Sequence, residues 1–225
     1  MLRVILSLKG VLIVSLVTLL FGVATILVEI QTGAISASYN QTRPSLISGG
    51  GEQCLKTLKA RGVDFVAHGT RPNGQCTIKN AVRISKINGI KLKPTIEMNC
   101  KSALATSKWL ADINATRMTH IGTFNCRTQR GSALASEHSF GTAIDITSIN
   151  GASVSEDWGK DTNKGRYLAK AYSSACRIFA NVVGPDDNKA HSDHFHLDTG
   201  IGVGCLPDWA KKVKKFAYGK LRELI

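Results

Sequence analysis

Hydrophobic and polar positions along the chain first separate an apolar N-terminal segment from everything that follows. Residues Val11 to Val28 are uncharged and almost entirely apolar, and two basic residues, Arg3 and Lys9, precede them. A helix needs about 20 apolar residues to span a bilayer, whereas the apolar core of a cleavable signal peptide usually has about 7 to 15. These 18 residues therefore predict a transmembrane signal anchor within residues 1–30, with cleavage after export as the alternative.

The basic residues before this segment predict the orientation of the chain. Because positive charge is retained on the cytoplasmic side, the following residues are expected on the periplasmic side of an inner membrane. Residues 31–53 are rich in Ser, Thr and Gly and contain Gly49-Gly50-Gly51 near their end, a composition typical of a flexible linker. The folded domain is then predicted over residues 54–225.

Within residues 54–225, short alternating segments and longer amphipathic segments predict both strands and helices. Alternation of apolar and polar residues predicts strands at Val63–Val66, Cys76–Ile78 and Met118–Phe124. Apolar residues at helical spacing predict helices at Met98–Ile113, with Asn99 as its N-cap, at Lys164–Val182 and at Trp209–Ile225. The mixture predicts an α+β domain in which a small antiparallel sheet is backed by helices.

The charge balance is strongly basic, with 29 Lys and Arg against 16 Asp and Glu and a formal net charge of +13. Long-range electrostatic steering therefore favours an anionic partner, such as an acidic lipid surface or a cell-wall polymer. The basic residues are scattered, and the chain has neither a nucleic-acid recognition motif nor a series of aromatic residues for base stacking. Nucleic acid is therefore not expected among the partners.

Six cysteines lie beyond residue 53, and none of them forms a Cys-x-x-Cys pair of the kind that binds zinc. An even number of dispersed cysteines in an exported chain predicts three disulfides, for which 15 pairings are possible. The short segment between Cys54 and Cys76 contains Gly and Pro and resembles a hairpin, so these two cysteines are expected to pair.

Two segments rich in His and Asp, Ser136–Asp145 and His191–Asp198, indicate a metal site. Side chains alternate along a strand, so a strand at the end of the first segment would direct Asp145 into a cleft, with His138 beside it. The same alternation in the second segment places three polar side chains on one face: His194, His196 and Asp198. Two His and one carboxylate with an open fourth position for water describe a catalytic zinc site.

The pattern Ser136-x-His138-x-x-Gly141-x-Ala143-x-Asp145, followed by His194-x-His196, is similar to the zinc signature of lysostaphin-type endopeptidases, D-alanyl-D-alanine peptidases and the hedgehog signalling domain. More closely, the stretch from Cys54 to Pro207 resembles the bacterial extensin-like C-terminal domain family. The resemblance implies that zinc is bound by His138, Asp145 and His196, with water in the fourth position.

The resemblance also implies two candidates for the general base. In the D-alanyl-D-alanine peptidases an acidic residue lies three positions before the last ligand, which here is Asp193. In the lysostaphin and hedgehog pattern a His lies two positions before that ligand, which here is His194. We expect Asp193 to be the base, with His194 as a co-catalyst or oxyanion stabiliser.

Four further residues are expected to support the site. Arg127, predicted to follow a strand, is the candidate for binding a substrate carboxylate or the developing oxyanion, with a surface arginine beside a disulfide as the alternative. Ser136 and Asp198 are expected to orient the ligands by hydrogen bonds, Asp198 by holding an imidazole in one tautomer. His191 is expected to be a further orienting residue or an accessory acid, with an ordinary loop histidine as the alternative.

These features predict an exported, membrane-tethered zinc peptidase that hydrolyses amide bonds in peptidoglycan peptides, as a D-alanyl-D-alanine carboxypeptidase or an endopeptidase. A non-catalytic, zinc-containing module that binds the cell wall is the alternative, and a disulfide-bonded wall protein without a metal is a third interpretation. The expected partners are peptidoglycan peptides or another anionic wall polymer, together with the membrane through the N-terminal helix.

Overall fold

The computed structural model describes residues 51–129 and 134–200, together with residues 202 and 205. The predicted membrane anchor, the predicted helix Trp209–Ile225 and the linker up to residue 50 lie outside these residues. Within the described ranges, no helix is both long and apolar enough to cross a membrane. The first described element is a helix that begins at Gly51, so residues 51–53 of the predicted linker are helical.

A helix and a three-stranded antiparallel sheet begin the domain. Helix α1 comprises Gly51–Ala60, and strands β1, β2 and β3 comprise Asp64–Asn73, Cys76–Ile87 and Ile90–Asn99. The strands lie in the order β1-β2-β3, and each is antiparallel to its neighbour. They are longer than the sequence pattern predicts, and β3 has no counterpart among the predicted strands.

The turn between β2 and β3 consists of Asn88 and Gly89, which have positive φ angles of 50° and 81°. Asn-Gly favours two-residue hairpin turns of this kind, because both positions tolerate positive φ and the turn matches the twist of the strands. The dipeptide is therefore the sequence signal for this hairpin. The predicted start of a helix at Met98 is wrong, because Met98 and Asn99 are the last two residues of β3.

Helix α2, Cys100–Asp112, begins directly after Asn99, whose Oδ1 accepts a hydrogen bond from the backbone N–H of Ser102 over 2.8 Å. The predicted cap is thereby confirmed, since a side-chain oxygen here satisfies one of the free amides of the first turn. Trp109 is fully buried, and its indole N–H donates to the carbonyl of Ala171 over 2.9 Å. This bond ties α2 to the C-terminal half of the domain.

A second antiparallel sheet contains the predicted metal-site segments. Its strands are β4 Met118–Gly122, β5 Ala143–Ile149, β6 Ala152–Ser153, β7 Asn181–Val183 and β8 Phe195–Asp198. The strand order is β4-β5-β8-β7, and β6 pairs with the end of β5. The remaining elements are α3 Val154–Asp157, α4 Asn163–Ala175 and the 3-10 turns Glu137–Phe140 and Lys189–His191.

The predicted α+β class is confirmed, with two antiparallel sheets in place of the one expected. The predicted helix Lys164–Val182 ends at Ala175, because residues 181–183 pair with β8 as strand β7. Phe179 in the connection is fully buried and packs edge-on against Trp109, with ring centroids 6.2 Å apart. Buried apolar residues from both sheets and from α2 and α4 form one continuous core.

All six cysteines are paired, which confirms the three predicted disulfides. The expected pairing of Cys54 with Cys76 is wrong, and the observed pairs are Cys54–Cys100, Cys76–Cys126 and Cys176–Cys205. Cys54 lies on the buried face of α1, which packs against α2, whereas Cys76 begins β2 and is bonded to the loop after β4. Because disulfides persist in oxidising compartments, the three bonds indicate a domain outside the cytoplasm.

Candidate metal centre

Two neighbouring strands and one turn bring three potential ligands together. Asp145 on β5 lies directly opposite His196 on β8, and directly opposed residues project from the same face of a sheet. His138 lies in the 3-10 turn that precedes β5. Gly141 ends this turn in the left-handed conformation, with a φ angle of 63°. A Cβ atom at Gly141 would also lie only 3.0 Å from the side chain of Ile78, so the turn is tight as well as left-handed.

The potential ligand atoms of the three residues form a small triangle, in which one carboxylate oxygen of Asp145 faces each imidazole. His138 Nε2 lies 3.1 Å from Asp145 Oδ2 and 3.2 Å from His196 Nδ1. His196 Nδ1 lies 2.9 Å from Asp145 Oδ1. Ligands bound to one zinc ion at about 2.0–2.1 Å with tetrahedral geometry are about 3.3–3.4 Å apart. The three predicted ligands are therefore brought together, and a small outward adjustment would let them hold a metal ion.

The hydrogen bonds behind the two imidazoles direct their lone pairs toward this triangle. His138 Nδ1 lies 2.5 Å from the carbonyl oxygen of Thr123, and a carbonyl only accepts, so Nδ1 is the protonated nitrogen. His196 Nε2 lies 3.1 Å from Asp198 Oδ2 and donates in the same way. In the neutral tautomers, two nitrogen lone pairs and the Asp145 carboxylate face one another, an arrangement that a proton or a metal ion can stabilise.

Burial and hydrogen bonding shift the pKa values of two of these ligands in opposite directions. Burial of Asp145 opposes its ionisation, but hydrogen bonds from His138 and His196 and their positive charge outweigh burial and hold its pKa below the ordinary value. Burial lowers the pKa of His196, but its hydrogen bonds to Asp145 and Asp198 outweigh burial and raise this pKa to about 9. In the metal-free protein His196 is therefore protonated at neutral pH, and a metal ion must displace that proton.

Asp198 is fully engaged in orienting His196. Only 3% of Asp198 is exposed, and its second carboxylate oxygen accepts hydrogen bonds from Asn181 Nδ2 over 2.8 Å and from the backbone N–H of Gly200 over 2.9 Å. A carboxylate held from three sides has little freedom to rotate away from the imidazole. The role of Asp198 in orienting a metal ligand stays a prediction, and its carboxylate lies in hydrogen-bond contact with His196 Nε2.

The two candidate bases are hydrogen-bonded to each other. His194 Nδ1 donates to Asp193 Oδ1 over 2.7 Å, and His194 Nε2 lies 3.7 Å from Asp145 Oδ1 at the edge of the ligand triangle. The His194 side chain is 10% exposed, whereas that of Asp193 is 61% exposed. His194 therefore faces the centre, and Asp193 contacts it from the solvent side.

His191 lies over the same group of rings. Its Nδ1 donates to Asn188 Oδ1 over 2.7 Å, and its ring centroid is 5.0 Å from that of His194 and 5.7 Å from that of His196. Burial lowers the pKa of His191 to about 4, and the positive charges of His196 and His194 add to this effect. His191 is therefore neutral near pH 7, which fits an orienting residue better than an accessory acid.

Arg127 does not follow a strand directly, because β4 ends at Gly122 and Arg127 lies in the subsequent loop. Its side chain is exposed, and its guanidinium donates to the carbonyl of the neighbouring Thr128 over 3.2 Å. Its backbone supports the site, since its carbonyl accepts from the backbone N–H of Ser136 over 3.0 Å. Ser136 in turn caps the turn that contains His138, and its Oγ accepts from the His138 backbone N–H over 3.4 Å.

The sequence pattern missed three residues that support the His-Asp-His group by hydrogen bonds: Thr123, Ser139 and Asn181. Thr123 acts through its carbonyl, and any residue type has a carbonyl, so no signal in the sequence could have identified it. Ser139 is 1% exposed, and its Oγ bonds both the N–H and the carbonyl of Arg127, over 3.0 Å and 2.6 Å. Ser139 lies inside the recognised motif, directly after His138. A small polar residue at that position is the only sequence signal for its supporting role.

The fold and the site define a disulfide-bonded α+β domain with a His-Asp-His group that can hold a metal ion. A family model described as Extensin-like protein C-terminus matches residues 52–205, and the chain belongs to this family. The match includes both metal-site segments and all six cysteines, and it confirms the resemblance inferred from the motifs. No curated protein and no solved structure matches the chain.

Proposed function

We propose that the domain is a zinc-dependent peptidase that hydrolyses amide bonds in peptidoglycan peptides outside the cytoplasm. The proposal is carried by one observation, the triangle of ligand atoms from His138, Asp145 and His196 with the oriented imidazole of His194 beside it. A centre that only holds a metal needs ligands alone. A hydrolytic centre also needs a base within reach of the reacting water.

The donor set supports zinc as the metal. Two imidazole nitrogens and a carboxylate oxygen are common zinc ligands, and three protein ligands leave one position open, as catalytic rather than structural zinc sites do. Zinc bound here would lower the pKa of water toward about 7 and polarise a scissile carbonyl. The chain's own residues must then remove a proton and position the substrate.

We assign the general base to His194 and a positioning role to Asp193, which reverses the order of preference from the sequence. Because His194 Nδ1 donates to Asp193, its Nε2 is free to accept a proton at the edge of the ligand triangle. The hydrogen bond with His194 lowers the pKa of Asp193, so Asp193 stays an anion that holds the imidazole. Its short, exposed side chain is already engaged and is poorly placed to act alone.

The substrate class is supported by compartment and charge. Peptidoglycan peptides are amide substrates outside the cytoplasm, and their free carboxylates suit a chain with a net charge of +13. Arg127 is exposed on the loop that contacts His138, and its guanidinium is the proposed partner for a substrate carboxylate. A membrane anchor within residues 1–30 would keep the domain at the periplasmic face of the inner membrane.

A non-catalytic wall-binding module is the second candidate, and the burial of the centre favours it. The side chains of His138, Asp145 and His196 are only 3%, 13% and 13% exposed, which limits access for a peptide bond. In such a module the same metal would hold β5, β8 and the turn together.

Digestion of purified peptidoglycan fragments by the full-length chain separates the two candidates. Products are analysed by mass spectrometry, with zinc content measured in parallel and with a chelator-treated sample. We expect zinc-dependent cleavage, a loss of about 10²–10⁴ in rate for His194→Ala at unchanged zinc content, and loss of both zinc and activity for His196→Ala. His68→Ala, at an exposed position of β1, is the matched control. Zinc and fragment binding by the unmodified chain without any cleavage would establish the binding module instead.

A further inference from the structure

Charge is divided unevenly between the two halves of the described domain. Residues 51–129, which form α1, α2, the three-stranded sheet and β4, contain 13 Lys and Arg against four Asp and Glu. Residues 134–200, which contain the three ligands and both candidate bases, have six Lys and Arg against nine Asp and Glu. The positive charge of this domain is therefore concentrated in residues 51–129, which precede the segments with the three candidate ligands.

The outer surface of the three-stranded sheet carries much of this positive charge. Along β3 the buried residues Ile90 and Leu92 alternate with the exposed Lys91 and Lys93, so both lysines project away from the core. We name this surface the basic face and define it by the outward residues Val66, Arg71, Arg83, Lys86, Lys91, Lys93, Asp64 and Glu97. Val66, at 60% exposure, is the one large exposed apolar residue on it.

Ion pairs on the basic face occupy the arginines and leave two of its lysines available. Glu97 accepts from both Arg71, over 3.0 Å, and Arg83, over 3.5 Å, while Lys86 pairs with Asp64 over 2.7 Å. Within the described part of the chain, Lys91 and Lys93 have no ion-pair partner. These two lysines are the charges that a ligand can neutralise.

The positions of these lysines suggest a ligand with regularly spaced negative charges. Lys91 lies directly opposite Lys86 on β2, and because Asp64 already pairs with Lys86, Lys91 is the member of this opposed pair that has no ion-pair partner. Lys91 and Lys93 are two residues apart on one strand face, which separates them by about 6.6–6.8 Å. A linear polyanion running along β3 can contact these two ammonium groups in turn.

We propose that the basic face is a docking surface for a linear, phosphate-bearing polymer and that it is separate from the metal centre. Phosphate is the assigned anion because the groups without an ion-pair partner are lysines, which bind phosphate as point charges, whereas the arginine forks, which match carboxylate and phosphate alike, are held by Glu97. A polymer is favoured over a membrane because a single exposed apolar residue offers little surface to bury among lipid chains. Docking here would hold the domain on an anionic wall polymer while the metal centre stays free.

The test measures binding of the full-length chain to linear inorganic polyphosphate over a range of salt concentrations. We compare the unmodified protein with Lys91→Gln/Lys93→Gln and with the matched variant Lys160→Gln/Lys170→Gln, which removes the same charge from exposed positions elsewhere. Each neutralised contact contributes about 0.7 to the slope of log affinity against log salt for single-stranded nucleic acid, and with the same value for linear polyphosphate the first variant should lose about 1.4 of slope. The matched variant should retain the slope, and a chelator should leave binding unchanged.

Three results would overturn the docking surface. One is an equal loss of slope in both double variants, which would mean that only net charge matters. Another is binding to anionic phospholipid vesicles, lost in Lys91→Gln/Lys93→Gln, without binding to polyphosphate, which would make the face a membrane contact. The third is equal affinity for polyglutamate, which would remove the preference for phosphate. One arm of the experiment measures binding by chelator-treated protein, in which a zinc peptidase would be inactive. Failure of the docking proposal can therefore be distinguished from failure of the proposed peptidase activity.

Discussion

Each histidine of the candidate centre is oriented by an acceptor on the far side of its ring. For His138 the acceptor is the Thr123 carbonyl, and for His196 it is the Asp198 carboxylate. These bonds decide which nitrogen keeps its proton and so which nitrogen can bind a metal. Which nitrogens can bind a metal therefore depends on residues outside the His-Asp-His group.

Replacement of Asp198 should weaken metal binding, and the affinity is measured on the folded fraction of the variant. In Asp198→Ala the imidazole of His196 loses the acceptor that holds its Nε2–H, and we expect a loss of about 10- to 100-fold in zinc affinity. Competition with a fluorescent chelator measures the affinity. Asp161→Asn, at an exposed surface pair with Arg166, should bind zinc like the unmodified chain. Unchanged affinity in Asp198→Ala would mean that the carboxylate does not orient the ligand.

Asp193 and His194 should respond differently to substitution, because one acts through the other. In His194→Ala the proton acceptor itself is lost, whereas Asp193→Asn keeps a side-chain oxygen that can still accept from His194 Nδ1. We therefore expect the rate loss of about 10²–10⁴ only in His194→Ala, and a smaller loss with a shifted pH profile in Asp193→Asn. The measurement is the rate of peptide hydrolysis against pH at equal zinc content. If Asp193→Asn lost as much as His194→Ala, the assignment of the base would have to be reversed.

At the scale of elements, hydrogen bonds join the turn that contains His138 to the loop after β4. The Ser139 hydroxyl bonds the Arg127 backbone, and the backbone N–H of Asn125 donates to the carbonyl of His138 over 3.2 Å. The disulfide from Cys76 to Cys126 then joins this loop to β2. The position of His138 is thus set by two segments that are distant from each other in the chain.

Removal of the Cys76–Cys126 disulfide should weaken both the fold and the metal site. Losing one native disulfide typically costs about 2–5 kcal/mol of stability, and here it also frees the loop whose carbonyl holds His138. Cys176→Ala/Cys205→Ala is the control, since that bond joins the end of α4 to residue 205. We expect both double variants to unfold at lower denaturant concentration, but only Cys76→Ala/Cys126→Ala to bind zinc more weakly when folded. Equal zinc affinity in the two double variants would show that the Cys76–Cys126 disulfide does not affect the metal site.

At the scale of the whole molecule, the protonation of His196 should make the stability of the metal-free protein depend on pH. Its pKa is raised to about 9 in the folded protein, whereas an unperturbed His has a pKa of about 6.5. The proton therefore stabilises the fold fully below pH about 6.5, and this contribution is lost as the pH rises through about 9.

We expect the free energy of unfolding of the metal-free chain to fall by up to about 3 kcal/mol between pH 6.5 and pH 9. Urea denaturation at several pH values, in the presence of a chelator, measures this change. The zinc-loaded chain is the control, because the metal replaces the proton on His196 and should remove this pH dependence. A metal-free protein that became more stable toward pH 9 would contradict the hydrogen-bonded arrangement around His196.

Local patterns in the sequence were enough to predict the His-Asp-His group that can hold a metal ion and several elements. The period of two along a strand placed Asp145 and His196 on one face, and their strands do pair so that these residues oppose each other. Asn99 was predicted as the cap of α2 because its effect depends only on the next three residues. Oxidation of all six cysteines was also predictable, since it depends on their number and on export rather than on their positions.

Tertiary structure alone decided which cysteines pair, which base faces the centre and where the charge lies. Cys54 pairs with a residue 46 positions away, across the contact of two helices, and no local period reports such a contact. Asp193 and His194 are adjacent in sequence, yet only the path of the chain turns one toward Asp145 and the other toward solvent. The acceptor that orients His138 is a backbone carbonyl, that of Thr123, and every residue type has one. Its position beside His138 is therefore set only when the loop after β4 folds against the turn.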